Sequence, residues 1–106
     1  MQQHQNRINE VLFYIHQDIS RPLGAEELAE VAAYSEQHFH RLFKSVVGES
    51  IHQYIRRVRM EYAANQLMFD NHSSIIDIAN RCGFSSASSF NKAFKSTFHC
   101  APSAWR

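Results

Sequence analysis

Two sets of polar side chains recur in this sequence at the spacing of one helix face, i, i+3, i+4 and i+7. The first set is Gln37, His40, Arg41 and Lys44, and the second is Ser88, Asn91, Lys92 and Lys95. Amide, imidazole, hydroxyl and cationic groups hydrogen-bond to base edges in the major groove of DNA. The first three members of each set are therefore predicted to contact bases.

A second group of residues is better suited to the phosphates of DNA. The last member of each set lies a turn further along its helix, where a cation fixes register without reading sequence. A serine precedes each of the two helices, and helix N-termini favour anions. The predicted phosphate contacts are Ser35, Lys44, Arg56, Ser86 and Lys95.

Basic residues are concentrated in two segments of the chain. Residues 37–60 hold five basic side chains and one acidic one, and residues 81–106 hold four basic side chains and no acid. Residues 1–36 and 61–80 are acidic on balance, so the formal net charge is only +1. Two basic segments suit two contacts with one polyanion, because cations held near phosphates release condensed counterions.

An internal repeat places the two basic segments at equivalent positions. Residues 28–35 (LAEVAAYS) match residues 78–85 (IANRCGFS), fifty residues later. Residues 39–45 (FHRLFKS) match residues 90–96 (FNKAFKS) with an offset of 51. Repetition with this period indicates a duplicated supersecondary element.

The first copy is predicted to be two short helices joined by a tight turn, which is the helix-turn-helix arrangement. Gly24 is the expected N-cap of one helix and Ser35 that of the next, which Gly48 ends. The side chains expected to be buried are Leu28, Val31, Ala32, Phe39, Leu42, Phe43 and Val46.

The second copy repeats this plan. Residues 74–77 (SIID) form a capping box that opens a short helix, which Gly83 closes. Ser85 or Ser86 then caps a longer helix. The buried face of that helix is expected to hold Phe90, Ala93 and Phe94, followed by Thr97 or Phe98.

Three more helices complete an all-α chain, which the low content of three glycines and two prolines favours. Residues 7–18 are predicted as the first helix and residues 50–69 as the longest, for about seven helices in all. A last turn begins at Ala101-Pro102, and Trp105 is expected to close the core there. The apolar stripe of the long helix is expected to be Ile51, Tyr54, Ile55, Val58 and Tyr62.

The predicted organisation is one domain, residues 1–106, with helix-turn-helix subdomains at 7–48 and 74–106 and a linker helix at 50–69. A helix over residues 50–69 is about 30 Å long, close to the roughly 34 Å between successive major grooves on one side of B-DNA. One protomer is thus expected to reach two grooves. Of the three linker arginines, Arg56, Arg57 and Arg59, at least one is expected to serve packing or an ion pair instead.

From Arg7 to Arg106, these residues resemble the DNA-binding domain of the AraC/XylS family of bacterial transcription regulators. The most specific part of the resemblance is Ile78-Ala79, Cys82-Gly83-Phe84-Ser85-Ser86, Phe90, Phe94-Lys95, Phe98, Pro102 and Arg106. The first half adds Leu28-Ala29, Ser35, Phe39, Arg41, Phe43-Lys44, Gly48, Tyr54-Ile55, Arg59, Ala63 and Leu67.

The resemblance implies two helix-turn-helix units that bind asymmetric promoter sites on double-stranded DNA and usually activate transcription. It places base reading on the same six positions. Separately, helical domains of this size can pass from DNA to contacts with RNA polymerase, which is therefore a candidate partner. One similar subgroup carries a gyrase-inhibitor-like ligand domain after the DNA-binding domain. A small-molecule effector would then act only through a domain absent from this chain.

Two residues and one helix face depart from the pattern of this family. His99 stands where the family usually has glycine, so the turn after Phe98 is expected to be strained or differently shaped. The second face, around Ser88, is shorter and less basic than the first. Glu36 beside the first face would repel phosphate, although an acid there favours the helix N-terminus.

The composition argues against several other classes. A hydrophobic content of 44% indicates a packed core, and no apolar run approaches the length of about 18 residues that a membrane helix needs. The N-terminus lacks the apolar core of a signal peptide, and the two cysteines have no zinc spacing. We expect reduced thiols in a cytoplasmic, nucleoid-associated protein.

Catalysis, metal binding and cofactor binding are not expected. No acid–base pair recurs at a workable spacing, and the seven histidines do not match a zinc pattern. The alternative to DNA binding is a helical protein-interaction module that contacts another transcription component. Salt distinguishes the two, because phosphate-driven binding weakens steeply with ionic strength.

Overall fold

The computed structural model describes residues 2–106, and the regular secondary structure of these residues is helical throughout. The elements are α1 (Gln2–Gln17), α2 (Ala25–Val31), α3 (Glu36–Val47), α4 (Ile51–Phe69), α5 (Ile75–Arg81), α6 (Ala87–Phe98) and α7 (Pro102–Trp105). The all-α prediction with two helix-turn-helix pairs is confirmed. Within residues 2–106, no helix is both long and apolar enough to span a membrane.

Two compact units divide the chain, the first ending at Arg56 and the second running Arg57–Arg106. Each unit has its own apolar core. The first core includes the fully buried residues Ile8, Val11, Ile15, Leu28, Ala32, Phe39 and Phe43. The second includes Met60, Ala63, Leu67, Ile78, Ala79, Cys82, Phe90 and Phe94. Both pairs of short helices thus pack their predicted apolar faces inward.

The first helix begins earlier than its apolar pattern predicts. Residues 7–18 were expected to be helical, whereas α1 runs from Gln2 to Gln17. In the added turn, the Nδ1 atom of His4 forms a hydrogen bond with the hydroxyl group of Tyr34. This tertiary contact draws polar residues into the helix, and apolar periodicity does not reveal it.

Two details of the predicted apolar stripes are wrong. Val46 is 42% exposed, and Val47 packs against the first core in its place. Tyr62 is 37% exposed, because the buried face of α4 changes along its length. Ile51 and Ile55 belong to the first core, whereas Met60 and Leu67 belong to the second. A single stripe does not describe a helix that supplies two cores.

The predicted helix ends are largely present. Ser74 and Asp77 form the capping box of α5, and Pro102 occupies the first turn of α7. Of the two candidates that follow Phe94, Phe98 packs on the core and Thr97 is exposed. The indole Nε1 of Trp105 donates to the carbonyl oxygen of Ala64 at 3.1 Å, which fixes α7 against α4.

Candidate nucleic-acid interface

The helix α3 is held in place by a cap at each end and by two buried aromatic rings. The backbone N–H of His38 donates to Oγ of Ser35 at 3.3 Å, so Ser35 is the N-cap. Gly48 ends the helix in the left-handed region at φ 95°. Phe39 and Phe43 are fully buried and their rings lie 5.8 Å apart. The opposite face of α3 is therefore left to solvent.

The predicted base-reading residues of α3 and the predicted phosphate contact Lys44 lie on this outer face. The side chains of Gln37, Arg41 and Lys44 are exposed, and within residues 2–106 these side chains make no hydrogen bond or ion pair. His40 is partly covered, with 36% of its side chain exposed. Its Nε2 lies 3.8 Å from Oε1 of Glu36, one turn earlier on the helix. Gln37, Arg41 and Lys44 present an amide, a guanidinium and an ammonium group, respectively, and each of these groups can donate hydrogen bonds to DNA.

The helix α6 is built in the same way in the second unit. The N–H of Ser89 donates to Oγ of Ser86 at 3.1 Å, which identifies Ser86, not Ser85, as the cap. Phe90, Ala93 and Phe94 form the buried face, as predicted. His99 ends the helix in the left-handed region at φ 63°. This conformation normally favours glycine, so the predicted strain after Phe98 is present.

The predicted reading residues of α6 are all exposed. They are Ser88, Asn91 and Lys92, and Lys95, a predicted phosphate contact, is exposed as well. In the part of the chain that the structure describes, no acidic side chain forms an ion pair with Lys92 or Lys95. The hydroxyl of Ser86 donates to Oγ of Ser89 at 3.0 Å. Its donor is thus already used, whereas Ser35 keeps its hydroxyl proton for an outside acceptor.

The turns between the paired helices have matching hydrogen bonds. In the first unit, the N–H of Tyr34 donates to the carbonyl oxygen of Ala29 at 3.0 Å. In the second unit, the N–H of Phe84 donates to that of Ala79, also at 3.0 Å. Both turns contain one left-handed residue, Ala33 at φ 60° and Gly83 at φ 88°. The sequence repeat is therefore a repeat of turn geometry.

The three linker arginines have three different environments. Arg56 is exposed on α4. Arg57 forms an ion pair with Glu61, with its Nη1 at 3.0 Å from the carboxylate Oε1. Arg59 is half-buried, and burial lowers the pKa of its guanidinium. A Cβ atom added to Gly83 would lie 3.0 Å from Cζ of Arg59. Arg57 and Arg59 thus make contacts within the protein, as expected for at least one of the three.

Two cations of the second basic segment are also engaged within the protein. Nη1 of Arg81 lies 2.9 Å from Oδ2 of Asp70 and 2.8 Å from Oε1 of Gln66. Arg106 donates to the backbone carbonyl oxygens of Asp70 and Ser73. The charge count of residues 81–106 therefore overstates the free positive charge, which rests on the two lysines of α6.

The two cysteines lie in or against the second core. Cys82 is fully buried, and burial raises the pKa of its thiol to about 12. This thiol is therefore a poor nucleophile. Cys100 is half-buried against the second core. Within residues 2–106, no group of three or more His, Cys, Asp or Glu side chains is arranged to hold a metal ion.

One neighbour of the reading face was missed by the sequence analysis. The ring of His52, in the first turn of α4, lies 5.9 Å from the ring of His40 on α3. His52 lies outside the repeat that defined the two faces, and only the packing of α4 against α3 brings it there. Spacing along one helix carries no signal for such a contact.

Comparison with known proteins identifies relatives over nearly the whole chain. A family model described as a helix-turn-helix domain matches residues 28–106. The transcriptional activator AarP of Providencia stuartii is 35% identical over 99 residues, which cover 93% of this chain and 73% of that protein. The uncharacterised regulator YbfP of Bacillus subtilis is 38% identical over 96% of this chain. The chain spans only 33% of the length of YbfP.

A solved structure supports the same relationship. The DNA-binding domain of AdpA, a global transcriptional factor solved in complex with a target DNA, superposes with a TM-score of 0.86. The two are 26% identical, and the match covers 92% of this chain and 87% of that chain. The fold, the sequence repeat and the family model therefore all indicate a helix-turn-helix domain.

Proposed function

The chain belongs to the AraC-type family of helix-turn-helix transcription regulators, and from this premise we propose that it binds double-stranded DNA sequence-specifically through α3 and α6. Each helix would enter a major groove and read base edges there. The relationship to the AdpA domain that was solved with target DNA supports this function over the protein-interaction alternative.

The observation that carries the proposal is the matched pair of exposed helix faces. Helices α3 and α6 are both 12 residues long, and each is capped by a serine and anchored by two buried phenylalanines. Each presents a polar stripe on the face opposite its core. Two helix faces that only meet solvent need not match each other in this way. Two helices that read one DNA duplex are expected to match.

The individual roles follow from the chemistry of the side chains. Arg41 suits bidentate contact with guanine, and Gln37 or Asn91 suits adenine. His40, Ser88 and Lys92 complete the base-reading set. Lys44, Lys95, Arg56 and Ser35 would contact phosphates through their side chains. Ser86 would do so through the helix N-terminus that it caps, because its hydroxyl proton is already donated to Ser89.

We propose further that the protein acts as an activator, because AarP is described as one. RNA polymerase is the expected protein partner, in the cytoplasm at the nucleoid. The chain is expected to work without a catalytic step. Because YbfP is about three times as long as the matched region, a small-molecule effector would act through a domain outside residues 1–106.

The test separates base reading from phosphate binding. We expect Arg41→Ala to weaken binding to a selected site by about 1–3 kcal/mol and to leave binding to random-sequence duplex nearly unchanged. Lys95→Ala should weaken both and reduce the slope of log K against log salt by about one. Fluorescence anisotropy across a salt series measures both effects.

Arg57→Gln is the matched control, because Arg57 is already paired with Glu61. It removes the same charge as the Lys95 change and should leave the salt slope nearly unaltered. Equal losses on both DNAs for Arg41→Ala would show that this side chain contacts only phosphate. Binding that is insensitive to salt would contradict the proposed function.

A further inference from the structure

The packing of α4 against α3 extends the first reading face beyond the residues of α3. His40 lies on that face with Gln37, Arg41 and Lys44. The ring of His52 is exposed and lies 5.9 Å from that of His40, with 40° between the ring planes. The first turn of α4 is thus directly beside the predicted base-reading side chains.

The same edge of α4 continues to a cation. Arg56 lies four residues after His52, so the two side chains are neighbours on one helix face. Both are exposed. From His40 through His52 to Arg56, the first unit therefore presents a row of nitrogen donors. A phosphate strand that runs along the edge of a groove is a fitting acceptor for such a row.

Two acidic residues lie near this row in the sequence, Glu36 four residues before His40 and Glu49 three residues before His52. Glu36 lies 3.8 Å from Nε2 of His40 and is one turn away on the same helix. On α4, the nearest charge along the helix is Arg56, and on α3 Lys44 lies one turn after His40. Within residues 2–106, neither ring makes an ion pair with a residue of α1 or α2. Within residues 2–106, Glu36 is the carboxylate within ion-pair distance of either ring.

Resting on the proposed DNA-binding function, we propose that His52 is a phosphate contact of the first unit and that the His40–His52 pair takes up a proton when DNA binds. A nearby phosphate favours the charged form of an imidazole. Because histidine changes charge in the range of pH 5 to 8, binding should strengthen as the pH falls through this range. The proton comes from solvent and stays on an imidazole nitrogen.

The experiment measures binding of a labelled random-sequence duplex between about pH 8 and about pH 6 at constant ionic strength. One proton taken up on binding raises the association constant by up to about tenfold per pH unit, so we expect a rise of roughly three- to tenfold over this range for the wild-type chain. His52→Gln should remove most of this rise. His52→Lys should restore the affinity at pH 8 without restoring the pH dependence, since lysine keeps its charge there.

His72→Gln is the matched control, because His72 is an exposed histidine of the second unit. The backbone N–H of His72, which donates to Asp70, is unchanged by this substitution. Circular dichroism checks that each variant is folded. Titration calorimetry in two buffers of different ionisation enthalpy counts the protons taken up.

The outcomes separate this inference from the proposed function. Loss of the pH dependence in His52→Gln but not in His72→Gln supports it. Wild-type pH dependence in His52→Gln, with DNA binding intact, overturns the role of His52 and leaves the proposed function standing. Failure of the wild-type chain to bind DNA at any pH in low salt would overturn both.

Discussion

Gly83 is held by two independent constraints, one from its backbone and one from its surroundings. Its φ of +88° lies in the left-handed region, where any Cβ atom is unfavourable. In addition, a Cβ atom would lie 3.0 Å from Cζ and 3.1 Å from Nε of Arg59. The guanidinium of Arg59 therefore packs directly on the turn between α5 and α6.

A matched pair of substitutions separates these two constraints. Gly48 has a similar φ of +95° but nothing within 4 Å of an added Cβ atom. We expect Gly48→Ala to cost about 1–2 kcal/mol of unfolding free energy, from backbone strain alone. Gly83→Ala should cost more, because Arg59 must also move. Urea unfolding followed by circular dichroism measures both, and equal costs would show that the Arg59 contact is soft.

The contacts of a single residue can be predicted from the sequence when its partner is only a few residues away in the chain. Ser74 and Asp77 are three residues apart, and their capping box was predicted and is present. The fate of Arg81 was not predictable, because its partner Asp70 lies eleven residues away in another part of the second unit. Charge counting treated Arg81 as available to DNA, whereas the structure pairs it.

Among the elements, α6 ends less favourably than α3. Both helices have a left-handed C-cap, but α3 uses Gly48 and α6 uses His99. A left-handed side-chain residue costs about 1–2 kcal/mol relative to glycine. His99→Gly is therefore expected to raise the stability of the second unit by about 1 kcal/mol.

Trp105 gives a direct readout of this change. It is the only tryptophan of the chain and packs against the second core. Thermal unfolding followed by its fluorescence should show a higher Tm for His99→Gly than for wild type. The reverse change in the first unit, Gly48→His, should lower stability. An unchanged or lower Tm for His99→Gly would mean that the His99 side chain offsets the strain with contacts of its own.

The segment between α4 and α5 depends on pH through Asp70. Hydrogen bonds from Arg81, and then from Ser73, hold the pKa of Asp70 well below its usual range. A carboxyl pKa that is lowered by folding stabilises the protein above the unfolded-state value and loses this effect as the pH falls through the folded one. Stability of the second unit should thus decline as the pH falls below about 4.

Asp70→Asn tests this dependence. Its Tm should be lower than that of wild type at neutral pH, and the difference should shrink toward pH 2, because the Asp70 carboxyl of the unfolded wild-type chain has an ordinary pKa and becomes protonated over this range. Glu61→Gln is the control, since it removes an exposed ion pair of the same unit and should cost only about 0.3–0.5 kcal/mol. A constant difference between Asp70→Asn and wild type across the acid range would show that the charge of Asp70 is not the cause.

The helices themselves were predictable except where tertiary contacts decide. The serine caps and phenylalanine anchors of α3 and α6 follow from local spacing, and the structure confirms them. The stripe of α4 was predicted as one face, although Met60 and Leu67 belong to a different core from Ile51. A helix that packs in two units has no single amphipathic period for the sequence to display.

For the whole molecule, the distribution of free charge is less symmetrical than the sequence indicates. The first basic segment keeps Arg41, Lys44 and Arg56 exposed, whereas Arg57 pairs with Glu61. In the second segment, the exposed cations without an internal partner are the two lysines of α6, since Arg81 and Arg106 bind within the unit. The first unit is therefore expected to supply more of the electrostatic affinity, and the second unit fewer contacts.

The duplicated organisation was predictable because the repeat extends over the caps, the turns and the anchors. The assignment of particular residues to bases or phosphates is of a different kind. It rests on exposure and side-chain chemistry, and the contacts exist only when DNA is bound. Those assignments remain predictions, and substitution of individual residues tests them one at a time.

The most direct test of the central claim is selection of binding sites from a random duplex pool by the purified chain. We predict enrichment of a consensus with two unlike boxes whose centres lie roughly 10–11 base pairs apart. The box that α3 reads should lose its base preference in the Arg41→Ala variant. A single box would mean that the second unit only positions the protein. No enrichment of any sequence at low salt would contradict sequence-specific DNA binding and favour the protein-interaction alternative.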